Sequence, residues 1–187
     1  MHDQIGTALI IPRGTPDLHG ISLDMTSIYN AEKRLGDVKS VLSGTAPELM
    51  GFFNEACNTV TKYMAWVEYE ILQAKKYLSL TKSVIILEKA PVEFQKVKDT
   101  GVKYNEDYRE AIVYRDPEYQ ARLDVLNMLT ATKILLESKS WSFVRAYNAC
   151  KSISAYKNTG AATPNFNGTI GQTCDVVQDN FMGKTKL

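Results

Sequence analysis

The chain has 187 residues, 44% of them hydrophobic and 23% charged, with a formal net charge of +1. That length suits one domain with a real core, and the composition is that of an ordinary soluble protein, which excludes a disordered or membrane-buried chain. A balance this near neutral also excludes a blanket basic surface, so any attraction to nucleic acid must come from local clusters.

Residues 1–21 place Pro12, Gly14, Pro16 and Gly20 around Leu9-Ile10-Ile11. Such punctuation predicts an extended arm with one short strand, laid on the surface or on a neighbouring subunit. The opening has a short apolar run but no basic region before it and no cleavage site, so no targeting segment is expected. Ser22 is a candidate cap for a first helix, whose apolar face would be Met25, Ile28, Leu35, Val38 and Leu42 and whose end would be Gly44. Gly36 costs that helix about 1 kcal/mol relative to alanine.

Thr45-Ala46-Pro47-Glu48 then has the form of a capping box with proline in the first turn. Beyond it, apolar residues recur in alternating steps of three and four: Met50, Phe53, Cys57, Val60, Met64, Val67, Ile71, Ala74, Leu78 and Ile85, with Thr81 the one break. The period of 3.5 is that of a helix keeping one seam against a partner helix. Phe53, Val60, Met64, Val67, Ile71, Leu78 and Ile85 are the expected packing or oligomer seam. A helix from about Ala46 to Ala90 would span roughly 65 Å, too long for a compact core of this size. An elongated bundle or an oligomer is therefore expected.

Pro91 should end or kink that helix, because it lacks an amide hydrogen and clashes with the preceding turn. A second piece, Val92 to Lys98, leads to the Asp99-Thr100-Gly101 turn. Asn105 can cap a short helix over 106–114. Asp116-Pro117-Glu118 is a strong start signal for a last long helix, Pro117 to Tyr156, with apolar positions at Tyr119, Leu126, Leu129, Leu136, Phe143, Tyr147 and Cys150. Arg122, Lys133 and Ser140 interrupt its seam. The expected architecture is all-α: an elongated antiparallel helical hairpin or small bundle (22–157), with an extended N-terminal arm (1–21) and a flexible C-terminal tail (158–187). Val176 to Leu187 keeps apolar residues that could dock on a partner.

Signals for catalysis are sparse. His2 and His19 are the only histidines and both lie in the arm, so neither a Cys-His pair nor a metal cluster is expected. No phosphate-binding glycine loop is present, and no cofactor is implied. Glu68 and Glu70 read as solvated charges. Three widely spaced cysteines, Cys57, Cys150 and Cys174, form no metal or disulfide pattern and suit a reducing interior. With no apolar run of about 20 residues, no bilayer span is expected either, and the chain reads as cytoplasmic. Asn167-Gly168-Thr169 has the form of a glycosylation acceptor but, without a secretory segment, is set down to chance.

Signals for binding are stronger. From Ser138 to Lys157 come Lys139, Arg145, Lys151 and Lys157 with no acid, interleaved with Trp141, Phe143, Tyr147 and Tyr156. Cations that neutralise phosphates beside rings that stack bases are what single-stranded nucleic acid requires. Six-residue spacing winds these cations around the helix, so a merely solvated helix end is the competing reading. Lys75, Lys76, Lys82 and Lys89 form a second basic group, joined by Lys96, Lys98 and Lys103. Oligomerisation would multiply such a bias, because the attraction scales with the phosphates contacted.

A long helix rich in Ala, Tyr and Lys leads here to Val102-Lys103-Tyr104-Asn105-Glu106 and Arg109-Glu110-Ala111-Ile112-Val113, then to Asp116-Pro117-Glu118-Tyr119 and a second long helix. Over residues 45–157, and most specifically 103–119, this layout resembles the phage recombination mediator proteins of the UvsY-like type. The resemblance implies a small non-enzymatic helical protein that binds single-stranded DNA and assembles into a homo-oligomeric ring in the cytoplasm of an infected host. It would help load a phage recombinase onto DNA covered by single-strand-binding protein. The resemblance supplies no individual DNA contact. The alternative expectation is a phage structural or assembly protein, a helical homo-oligomer that does not bind DNA.

Overall fold

The computed structural model describes residues 8–16, 18–41 and 45–159, with side chains to residue 155. The expected tail at 158–187, the helix stop at Gly44 and the Lys157 side chain lie outside these described residues, Asn158 and Thr159 being described in backbone alone. Among the described residues the chain is all-α apart from one small two-stranded sheet.

The arm folds into a hairpin. Strands β1 (Ala8–Ile11) and β2 (Ile21–Asp24) pair antiparallel, with Ala8 opposite Asp24 and Ile11 opposite Ile21. Alternation puts Leu9, Ile11, Ile21 and Leu23 on one face. Ile11 and Leu23 on that face are fully buried, whereas Ile10 on the other is 72% exposed. The strand thus takes in Ser22, the residue expected to cap the first helix. Asp24 does that work instead: its Oδ1 accepts from the Thr26 amide at 2.9 Å and the Thr26 hydroxyl at 2.6 Å. Helix α1 (Thr26–Arg34) follows, seating Ile28 and Ala31 in the core, and tightens into a 3-10 segment at Leu35–Ser40.

Helix α2 (Ala46–Val84) runs for 39 residues, about 58 Å at 1.5 Å per residue. Its buried residues fall at strict steps of seven, Ala46, Phe53, Val60, Val67, Ala74 and Thr81, with a flank three positions on at Leu49, Ala56, Tyr63 and Glu70. The expected seam leaned the other way, through Met50, Cys57, Met64, Ile71 and Leu78, and these are only half-buried. The arm and α1 explain the rotation, since they cover the Tyr63–Glu70 flank that sequence periodicity assigned to solvent. The Tyr63 hydroxyl donates to the Asp24 carbonyl at 2.7 Å. The Thr45 side chain makes no capping bond to α2.

Pro91 neither stops nor breaks the rod. A π turn at Ile85–Lys89 precedes it, and the Ala90 amide bonds back five residues to the Ile85 carbonyl. The wider turn opens the ladder where the proline ring would collide with the preceding carbonyl, and helix α3 (Ala90–Val97) continues. Gly101, at φ 80°, turns the chain after a short 3-10 segment at Lys98–Thr100.

Two caps then act as their residues predict. Asn105 accepts from the Tyr108 amide at 2.9 Å to start α4 (Glu106–Arg115). Asp116 accepts from the amides of Glu118 and Tyr119 at 2.9 and 3.2 Å to start α5 (Pro117–Thr159). Helix α5 returns antiparallel along α2, so that Lys133 meets Glu68 at 2.8 Å and the Phe53 and Phe143 rings stack at 6.4 Å. Leu129, Leu136, Phe143 and Cys150 repeat every seven residues against the α2 row, forming one long core with Ile11, Leu23, Ile28 and Ala31. A smaller core of Ile85, Val113 and Tyr119 holds α4 at the turn end.

Candidate nucleic-acid face

Of the described cations expected to meet DNA, three are engaged within the chain. Lys82 lies 3.3 Å from Glu110, and Lys89 lies 2.5 Å from Asp116 and 4.0 Å from Glu118. Lys139 pairs with Glu32 of α1. These pairs tie α2 to α4, the π turn to the start of α5, and α1 to α5. The hydrogen bonds to Glu110 and Asp116 hold Lys82 and Lys89 above the ordinary lysine pKa, so both stay charged and committed.

Among the described residues, Lys75, Lys76, Arg145 and Lys151 are exposed and enter no ion pair. Lys76 leans toward the neighbouring Tyr77 ring, 5.9 Å from its centroid. On α5, Trp141 is 53% exposed and Arg145 stands one turn further along the same outward face, with Asn148 and Ser152 continuing it. Lys151 projects from the flank of that face. Phe143, by contrast, is wholly buried against Phe53, and Tyr147 is half-buried. The helix therefore divides its aromatics, with Phe143 in the core and Trp141 beside Arg145 in solvent.

The two exposed basic groups do not meet on one chain. The Glu68–Lys133 contact sets the antiparallel register. By that register Lys75 and Lys76 lie beside the first third of α5, on the order of 30 Å from Arg145 along the bundle.

Glu70 departs most from its sequence reading. It is 2% exposed, with its Oε2 accepting from the Gly14 amide at 2.7 Å and its Oε1 from Arg13 Nη1 at 2.8 Å. Gly14 comes so close to α2 that a Cβ there would sit 2.0 Å from the Glu70 carbonyl oxygen and 2.6 Å from the Ala74 nitrogen. Glu70 is thus a structural latch for the arm. One signal could have found it: Glu70 stands seven residues after Tyr63, on the flank that a Gly-Pro-rich arm has to cover. Also unforeseen is a ring cluster at the turn, where Phe94, Tyr104 and Tyr108 pack with centroids 5.0 to 6.1 Å apart.

No group of three or more His, Cys, Asp or Glu among the described residues is placed to hold a metal ion. Burial pushes the Cys57 and Cys150 thiols up from their usual pKa, which keeps them protonated and weak as nucleophiles. A hollow of about 280 Å³ between α1 and α2, lined by Asp24, Asn30, Glu55 and Thr59 among others, is polar and open to solvent. No helix among the described residues is long and apolar enough to cross a membrane. Comparison with protein-family profiles, characterised proteins and solved structures finds no match for this chain.

Proposed function

We propose that this chain is a single-stranded-DNA-binding recombination mediator, acting as a homo-oligomer to help load a phage recombinase onto DNA covered by single-strand-binding protein. The observation that carries the reading is on the last turns of α5. There Trp141 and Arg145 share an exposed face, Lys151 flanks it, and residues 138–157 contain no acid. A base can stack on the indole while the guanidinium one turn away meets the adjoining phosphate. The resemblance of residues 103–119 to the UvsY-like mediators supplies the cellular role. A single copy offers few such contacts, so useful affinity requires several copies on one strand, each adding its own salt-dependent increment.

The test is a titration of short labelled single-stranded DNA at low and moderate salt. Binding should weaken steeply with salt, and Arg145→Glu should weaken it by roughly tenfold or more. Lys139→Gln should affect stability more than affinity, because Lys139 is engaged with Glu32. Absence of binding at low salt would leave the second reading, an assembly protein of helical homo-oligomers without DNA. What favours that alternative is the commitment of Lys82, Lys89 and Lys139 to internal ion pairs, together with the apolar residues exposed along α2.

A further inference from the structure

Helix α2 has two apolar faces, and the described residues leave the second largely exposed, only its Leu80 and Val84 bordering a hollow shared with Pro16 and Arg122. Opposite the buried row, Trp66, Tyr69, Leu72, Leu80 and Val84 follow one another at helical spacing, and Leu87 in the π turn extends the row. They are 42%, 58%, 64%, 50%, 45% and 74% exposed, respectively. The row is about 30 Å long. Weighted by these exposures, it presents on the order of 700 Å² of largely apolar surface, more than the ~300–600 Å² of the largest patch on a typical monomer.

We propose that this outward face of α2 is where a second copy of the chain docks, the two α2 helices crossing antiparallel about a two-fold axis near Lys76. The proposal rests on the homo-oligomeric part of the reading above and names the surface of its two-copy unit, since a two-fold contact closes at two. That surface is the outward stripe, because the inner seam is already filled by α5, α1 and the arm. Three features favour a second copy as occupant. Two stripes together would bury about 1,400 Å², above the ~1,000 Å² that a specific interface needs. A two-fold antiparallel crossing sets the aromatic end of one stripe, Trp66 and Tyr69, against the aliphatic end of the other, Val84 and Leu87, so the surface is self-complementary. The charge at its centre is moved aside, because Lys76 leans over Tyr77 and its stem can run to the rim.

The lysines nearest the axis, Lys75 and Lys76, lie close to their copies across it and repel them. Added salt should therefore leave this association unchanged or strengthen it, whereas it weakens attraction to DNA. That opposite response separates the two proposals. The experiment is sedimentation equilibrium on the full chain, wild type against Leu72→Glu/Leu80→Glu, with Ile134→Glu/Leu135→Glu on the exposed side of α5 as control. All four residues are exposed, and circular dichroism checks that each variant keeps its helices. The stripe variant should associate roughly a hundredfold more weakly, since a carboxylate would have to be buried in the interface, while the α5 variant should associate like wild type. A monomeric wild type, or a folded stripe variant that associates unchanged, overturns the proposed surface. If single-stranded DNA still binds in either case, the DNA reading stands without it.

Discussion

Replacing Glu70 with alanine tests how the arm is held. The carboxylate is buried and serves two donors, the Gly14 amide at 2.7 Å and Arg13 at 2.8 Å. Truncation leaves the Gly14 amide buried without an acceptor, at a cost of about 1–3 kcal/mol. Arg13 is 38% exposed, so solvent screens its ion pair and the loss there adds at most about 1 kcal/mol. The sum is roughly 1–4 kcal/mol for Glu70→Ala. Glu70→Gln keeps an oxygen for the amide and should cost about 1 kcal/mol. Urea unfolding followed by circular dichroism gives the totals, and hydrogen exchange locates the loss, which should concentrate in residues 8–24. A Glu70→Ala protein within about 0.5 kcal/mol of wild type, with arm protection unchanged, would refute the latch.

Phe53→Ala removes a fully buried ring of the long core, stacked on Phe143, and should destabilise by about 3–5 kcal/mol in the same unfolding assay. Gly14→Ala should disrupt arm packing as strongly as Glu70→Ala, because the added Cβ collides with α2 backbone, and hydrogen exchange would again report it. Acid should weaken the fold. Burial works to raise the Asp116 carboxyl, but bonds from Lys89 and the Tyr119 and Glu118 amides outweigh it and hold the pKa below its ordinary 3.8. Asp24 is likewise lowered, by the hydroxyl and amide of Thr26. A lowered carboxylate stabilises the fold above its unfolded pKa, so the contribution is lost as pH falls below about 4 through the folded values. Melting curves should show that loss in the wild type and less of it in Asp24→Asn/Asp116→Asn.

The long helices, the antiparallel return and two of the caps were legible because their signals are local. Asp116-Pro117-Glu118 and Asn105 each satisfy free amides within their own first turn, whatever the rest of the chain does. The α2 seam was legible in period and in its buried row, Phe53, Val60, Val67 and Ala74, but not in which flank joins that row. Apolarity alone favoured Met64 and Ile71 over Tyr63 and Glu70, and only the arm's path decides which flank is covered. The same non-local cause hid the role of Glu70, whose partners Arg13 and Gly14 lie over fifty residues earlier. Among the basic residues, sequence could not separate free cations from paired ones, since Lys82 meets Glu110 and Lys139 meets Glu32 only after folding. The extended run through Pro91 depends on a π turn, for which the local residues give no distinct signal.

The DNA claim turns on one indole, and Trp141 can report on itself. With Trp66→Phe removing the other tryptophan, the remaining emission belongs to the exposed face of α5. Titration with short single-stranded DNA at low salt should quench that emission as bases stack on the ring, and added salt should restore it. Unchanged Trp141 emission at saturating DNA would contradict the assignment of this face.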